Sequence, residues 1–198
     1  PYFLGRATDI ILSGVSAGGI GVWMNLDYIA QRYPSAKVTG FTVAGHYFYA
    51  NYYEGENATS SSGMADFTEK GIENAFDLYD AFVDESCKAH FEAQGLSGAP
   101  CLLSNNSMPF IESEGFVVQA MTDQVVLTGH DNWPEEYMYE AAEQAYMVEW
   151  SANMSVALEP LMAIPNEEEK EEGNGPRHGG VCCSLLHSRR IHALVPPH

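Results

Sequence analysis

A Gly-rich corner near the start of the chain limits its possible folds more than any other feature. Asp9-Ile10-Ile11-Leu12-Ser13 is a short apolar run closed by Gly14, the pattern of a buried strand that stops at a sharp turn. Past the turn Gly14-Val15-Ser16-Ala17-Gly18, the residues Ile20, Met24 and Tyr28 recur every four positions. Val22, Leu26 and Ile29 thicken that apolar face, which predicts a helix ended by Tyr33-Pro34. Residues 37–45 then read as a second strand. A strand, helix, strand order of this kind predicts a parallel α/β unit.

Downstream, residues 46–63 are rich in Tyr, Asn, Ser and Gly and read as a long loop facing solvent or substrate, suited to form one wall of a site. The apolar spacing of Phe67, Ile72, Phe76, Tyr79, Phe82 and Val83 predicts helices over 66–94, ended by Gly95 and the Gly98-Ala99-Pro100 turn. Residues 109–127 read as strand material with Thr122-Asp123 on its downstream side. A further helix is predicted over 134–158, opening on Pro134-Glu135-Glu136.

At 198 residues and 45% hydrophobic content the chain is long enough for one domain with a sizeable core, and residues 1–198 are read as a single domain. No run approaches the roughly 20 apolar residues of a membrane span. The opening residues have neither a basic nor an apolar leader pattern, and the chain is read as a fragment or processed form. Nine Lys and Arg stand against 27 Asp and Glu, a formal charge of −18, which repels phosphate backbones and argues against nucleic acid as a partner. Part of that excess is the run Glu167-Glu168-Glu169-Lys170-Glu171-Glu172, read with its Gly-rich flank as an acidic surface loop over 166–176.

Cys87, Cys101, Cys182 and Cys183 do not have the spacing of a zinc ribbon or a redox pair. Asn57-Ala58-Thr59, Asn105-Asn106-Ser107 and Asn153-Met154-Ser155 are glycosylation sequons. With an even cysteine count they favour an oxidising, secreted or extracytoplasmic setting.

The chemistry is concentrated at Ser16. A serine alcohol is a weak nucleophile at neutral pH; it must be exposed, placed against an imidazole and faced by N–H donors for the oxyanion. A Gly-x-Ser-x-Gly corner between strand and helix exposes the serine, and the N–H of the next residue, Ala17, points toward the oxyanion. The helix dipole adds positive potential there. A Gly-rich turn that binds phosphate is the competing reading, but no Lys follows it. The residues alone do not choose a base among His46, His90, His130, His178, His187, His192 and His198, although His187 lies in an apolar-flanked segment near the end of the chain. Nor do they choose a carboxylate between Asp123 and Asp131.

The segment Leu12-Ser13-Gly14-Val15-Ser16-Ala17-Gly18-Gly19-Ile20-Gly21, with Asn25-Leu26-Asp27 on the following helix, resembles the nucleophile segment of the pectin acetylesterase and Notum carboxylesterase family. Val118-Gln119-Ala120-Met121-Thr122-Asp123 with Leu127-Thr128 resembles the stretch holding that family's catalytic aspartate, and Leu185-Leu186-His187 the segment holding its histidine. The resemblance implies an α/β-hydrolase-like parallel sheet with a nucleophile elbow. It also implies Ser16 as nucleophile, His187 as general base and then acid, and Asp123 as the carboxylate that orients the imidazole. The order Ser, Asp, His is that of α/β hydrolases. It implies a bridge between Cys87 and Cys101, where the family has a local disulfide.

The sequence departs from the family in three places. The family's Gly-Gly-Trp loop, upstream of the nucleophile and part of its oxyanion hole, is not found before Asp9, so the domain is read as incomplete at its N-terminal side. Val43-Ala44-Gly45 stands where an Asp-x-Gly step is usual, and Ser184 stands where the family has a cysteine, with Cys183 one position earlier. The function implied is hydrolysis of an O-acyl ester on a polysaccharide or a protein, with no cofactor or metal. The alternative is a non-catalytic remnant or binding module that keeps the fold.

Overall fold

The computed structural model describes residues 4–59, 67–134, 140–162 and 182–186. Four parallel strands form one sheet in sequential order: β1 (Asp9–Val15), β2 (Lys37–Val43), β3 (Glu114–Ala120) and β4 (Cys182–Leu186). The crossovers hold α1 (Ala17–Arg32); then α2 (Glu69–Tyr79), α3 (Glu85–Glu92) and the short α4 (Ser104–Ser107); then α5 (Gln124–Gly129) and α6 (Ala141–Met162). This is the expected α/β class. β4 is a strand that sequence reasoning treated only as an apolar-flanked segment.

Helix α1 forms where expected, but its buried stripe is Gly19, Val22, Trp23 and Leu26. Tyr28, assigned by periodicity to the apolar face, is 51% exposed and meets Phe82 edge to face. The reason lies in the sheet below. Gly40 of β2 and Gly115 of β3 are register partners, and a Cβ on Gly40 would come within 2.8 Å of Leu26 and 3.2 Å of Trp23, while one on Gly115 would come within 3.0 Å of Trp23. The paired glycines open a slot in the sheet that takes the indole. Burying an aromatic of that size outweighs the gain from a regular stripe. Asp27, from the Asn-x-Asp motif, accepts the N–H groups of Glu112 at 2.7 Å and Ser113 at 2.9 Å and so ties α1 to the approach to β3.

The segment after β2 is less of a solvent loop than its composition suggests. Tyr47, Phe48 and Tyr53 are all buried, and Phe48 packs on Trp150 of α6 with ring centroids 5.1 Å apart. A smaller apolar cluster forms around Val83 and the Cys87–Cys101 disulfide, as the resemblance implied. At the start of α6, Glu143 reaches back to accept the N–H of Glu140 at 2.7 Å, as the third residue of a capping box does. The opening Pro134-Glu135-Glu136 predicted for this helix runs into residues 135–139, outside the described residues, as does the acidic loop at 166–176. Among the described residues no helix is long and apolar enough to cross a membrane.

Candidate active site

In an all-parallel sheet, loops that leave the carboxyl ends of the strands gather on one edge, and that edge is where ligands bind in open α/β folds. Ser16 follows β1, Tyr47 lies in the segment after β2, and Asp123 lies just past β3. Position 187 follows Leu186, the last residue of β4, which is in register with Ala120 of β3. His187 itself lies outside the described residues, as do His178, His192 and His198.

The corner around Ser16 is built by close backbone contact. A Cβ on Gly14 would overlap the carbonyl of Gly18, and Cβ atoms on Gly19 and Gly45 would each come within 2.7 Å of the other's Cα. Gly18 itself faces open space, so the tight glycines are Gly14 and Gly19 and not the two ends of the five-residue motif. Ser16 is exposed and has φ 55° and ψ −127°. A non-glycine residue with positive φ is uncommon and costs on the order of 1–3 kcal/mol, a strain that persists only where surroundings enforce it.

Ser16 is also the N-cap of α1, yet its side chain makes no capping hydrogen bond. A capping serine ordinarily turns its oxygen toward the N–H groups of the first turn. Here the strained backbone aims Oγ elsewhere, 3.1 Å from the hydroxyl of Tyr47. Ala17 is the first residue of α1, and N–H groups in a first turn have no partner within their own helix.

Asp123 is 7% exposed and caps α5: its Oδ1 accepts the N–H of Val125 at 3.1 Å and of Val126 at 3.4 Å. Its Oδ2 accepts from Gln119 Nε2 at 3.3 Å. Gln119 Oε1 in turn accepts the backbone N–H of His46 at 3.0 Å, which fixes the amide so that its NH2 end faces the carboxylate. Asp131, the other acid considered, instead accepts the Trp150 indole N–H at 2.7 Å, and burial pushes its carboxyl up to about 7.

Among the histidines, His46 is fully buried with Nδ1 3.2 Å from Met108 Sδ, and burial lowers its pKa to about 4. That ring is shut away from Ser16's exposed face. His90 lies on α3 beside Gln94. His130 stacks on Phe67 with centroids 4.1 Å apart and lies 6.2 Å from the Tyr47 ring. Sequence reasoning missed Tyr47 and Gln119. Gln119 could have been noticed as a polar residue at an inward position of a strand, since it alternates with Gly115 and Val117.

The profile of the pectinacetylesterase family matches residues 2–163, most of the chain. This chain belongs to the pectinacetylesterase family. The match ends before His187. Palmitoleoyl-protein carboxylesterase notum1 of Xenopus laevis is 29% identical over 134 residues, covering 63% of this chain and 27% of that protein. Palmitoleoyl-protein carboxylesterase NOTUM of Homo sapiens is 27% identical over 130 residues, covering 63% of this chain and 25% of its own length. The chain therefore spans about a quarter of the length of these relatives. The crystal structure of the Wnt deacylase Notum from Drosophila superposes with a TM-score of 0.66 at 17% identity, over 91% of this chain and 45% of that one. At that identity the likeness establishes the fold, an α/β-hydrolase-like arrangement.

Proposed function

We propose that this pectinacetylesterase-family chain is the core of a serine carboxylic-ester hydrolase in which Ser16 attacks the acyl carbon of an O-acyl ester. The observation that carries this reading is Ser16 itself: exposed, strained at φ 55°, free of any capping bond, and seated at the start of a 16-residue helix. That combination raises a hydroxyl into reach of substrate and puts first-turn N–H groups, Ala17 foremost, beside the developing oxyanion. In the proposed cycle His187 takes the Ser16 proton and returns it to the leaving alcohol, then activates water for release of the acid. Asp123 holds the imidazole. Its place after β3, in a sheet where β4 ends one residue before His187, supports this pairing.

The family description and the relatives' names share one substrate feature, an acyl group esterified to an oxygen. We assign the substrate class on that basis, as an acylated polysaccharide or an acylated protein. The Cys87–Cys101 disulfide, together with exposed sequon asparagines at Asn57 and Asn153, supports a secreted or extracytoplasmic protein. The test is covalent labelling of the full-length protein by a fluorophosphonate. Stoichiometric labelling that disappears in Ser16→Ala is the expected result. A correctly folded wild type that does not label refutes the esterase and favours a non-catalytic binding module.

A further inference from the structure

The Tyr47 hydroxyl touches the proposed nucleophile, and everything around it holds it there. Its carbonyl accepts the N–H of Asn105 at 3.2 Å, and the preceding N–H, that of His46, is fixed by Gln119. One residue earlier, the carbonyl of Gly45 accepts the Ser104 hydroxyl at 2.9 Å. The ring is 5% exposed and packs against Phe67 at 5.4 Å between centroids. A phenol so placed does not swing onto Ser16 by chance. Its position is set by β2, β3 and α4 together before any substrate arrives.

We propose that Tyr47 is a catalytic residue that donates a hydrogen bond to Ser16 Oγ and stabilises the negative charge this oxygen carries as it attacks the acyl carbon. The inference rests on the esterase reading above. The direction of the bond follows from the chemistry: Ser16 gives its proton to the imidazole, so its oxygen is the acceptor toward the phenol. Burial holds the phenol pKa above its ordinary value against the opposing effect of the Ser16 hydrogen bond, and the charge of Asp123 adds a smaller upward push, so it keeps its proton. In the acylation step the Oγ–carbon bond forms, the serine proton passes to the imidazole, and the carbonyl pair moves onto the carbonyl oxygen. As that intermediate collapses, the alcohol leaves with the proton. Tyr47 transfers no proton at any point. The resting separation of 3.1 Å is long for an O–H···O bond and tightens as charge develops on Oγ.

The experiment compares Tyr47→Phe with wild type in the full-length protein, using a fluorophosphonate and p-nitrophenyl acetate. The variant keeps the ring contacts and loses only the hydroxyl. It should still label completely and only at Ser16, but about 10- to 100-fold more slowly, with kcat/KM for the ester reduced by a similar factor. Equal or faster labelling overturns the role of Tyr47 while leaving the esterase intact; a wild type that does not label removes both. If the Phe variant does not fold, a fluorinated tyrosine at position 47 keeps the hydroxyl and makes it more acidic. Its labelling rate should then fall at alkaline pH where that of wild type does not, and coincident pH profiles overturn the proposal.

Discussion

His46 and Asp131 are buried titratable side chains whose effects on stability run in opposite directions. His46 is held below its ordinary 6.5, at about 4, so the unfolded chain binds more protons between those values and stability rises with pH across that window. Asp131 is raised from 3.8 to about 7, so the folded chain binds more protons and stability falls as pH rises from about 4 to about 7. Each contribution is on the order of 3 kcal/mol, and over most of the shared range they cancel. Asp131→Asn keeps an acceptor for Trp150 and removes one side of the balance. Its unfolding free energy should climb with pH between about 4 and 6.5 more steeply than that of wild type, in urea titrations at a series of pH values. Parallel curves for the two proteins would refute the opposed pair. Neither role was legible from sequence, where Asp131 and Asp123 are two acids eight positions apart. What separates them is tertiary: Asp131 is buried against Trp150 of a helix that arrives later in the chain, while Asp123 caps α5 and meets Gln119.

At the level of elements, periodicity located α1 and named Val22 and Leu26 of its buried stripe but centred the face toward Tyr28 and left out Trp23, because a helix's buried face is decided by the surface it lands on. The slot formed by Gly40 and Gly115 belongs to two strands 75 positions apart, a relation only the register reveals. β4 escaped for a related cause: five residues without alternation acquire strand character only through pairing with β3. By contrast the strand, elbow and helix around Ser16 are contiguous, and local chemistry sufficed to locate them, although β1, read as a buried strand, lies at the end of the strand order with Ile11 72% and Val15 65% exposed. The α1 interface yields two predictions of opposite sign. Gly40→Ala pushes a methyl into Leu26 and Trp23 and should cost about 1–3 kcal/mol. Gly21→Ala, where a Cβ meets nothing within 4 Å, should stabilise α1 by about 0.5–1 kcal/mol through helix propensity alone. Urea midpoints of the two variants check both signs, and destabilisation by both would mean that glycine serves α1 in some other way than packing.

For the whole molecule, the charge of −18 is the property that composition conveys most directly. Among the described residues the ion pairs include Lys37–Glu114 at 2.7 Å and Lys88–Glu92 at 3.8 Å, and all four side chains are about half exposed. Pairs of that kind contribute roughly 0–1 kcal/mol each, too little to offset repulsion among the remaining carboxylates. The repulsion is strongest in the folded state, where the charges are closest together. Salt shortens the Debye length to about 10 Å at 0.1 M and weakens repulsion between more distant carboxylates, while buried contacts such as Trp150–Asp131 are hardly affected. Raising NaCl from about 0.02 M to 0.3 M should therefore lift the thermal midpoint at pH 7 by several degrees, about 1 to 2 kcal/mol for a chain of this size. The gain should shrink at pH 5, where part of the carboxylate charge is neutralised. A midpoint that falls with NaCl would mean that attractive pairs dominate the surface, contrary to the charge count.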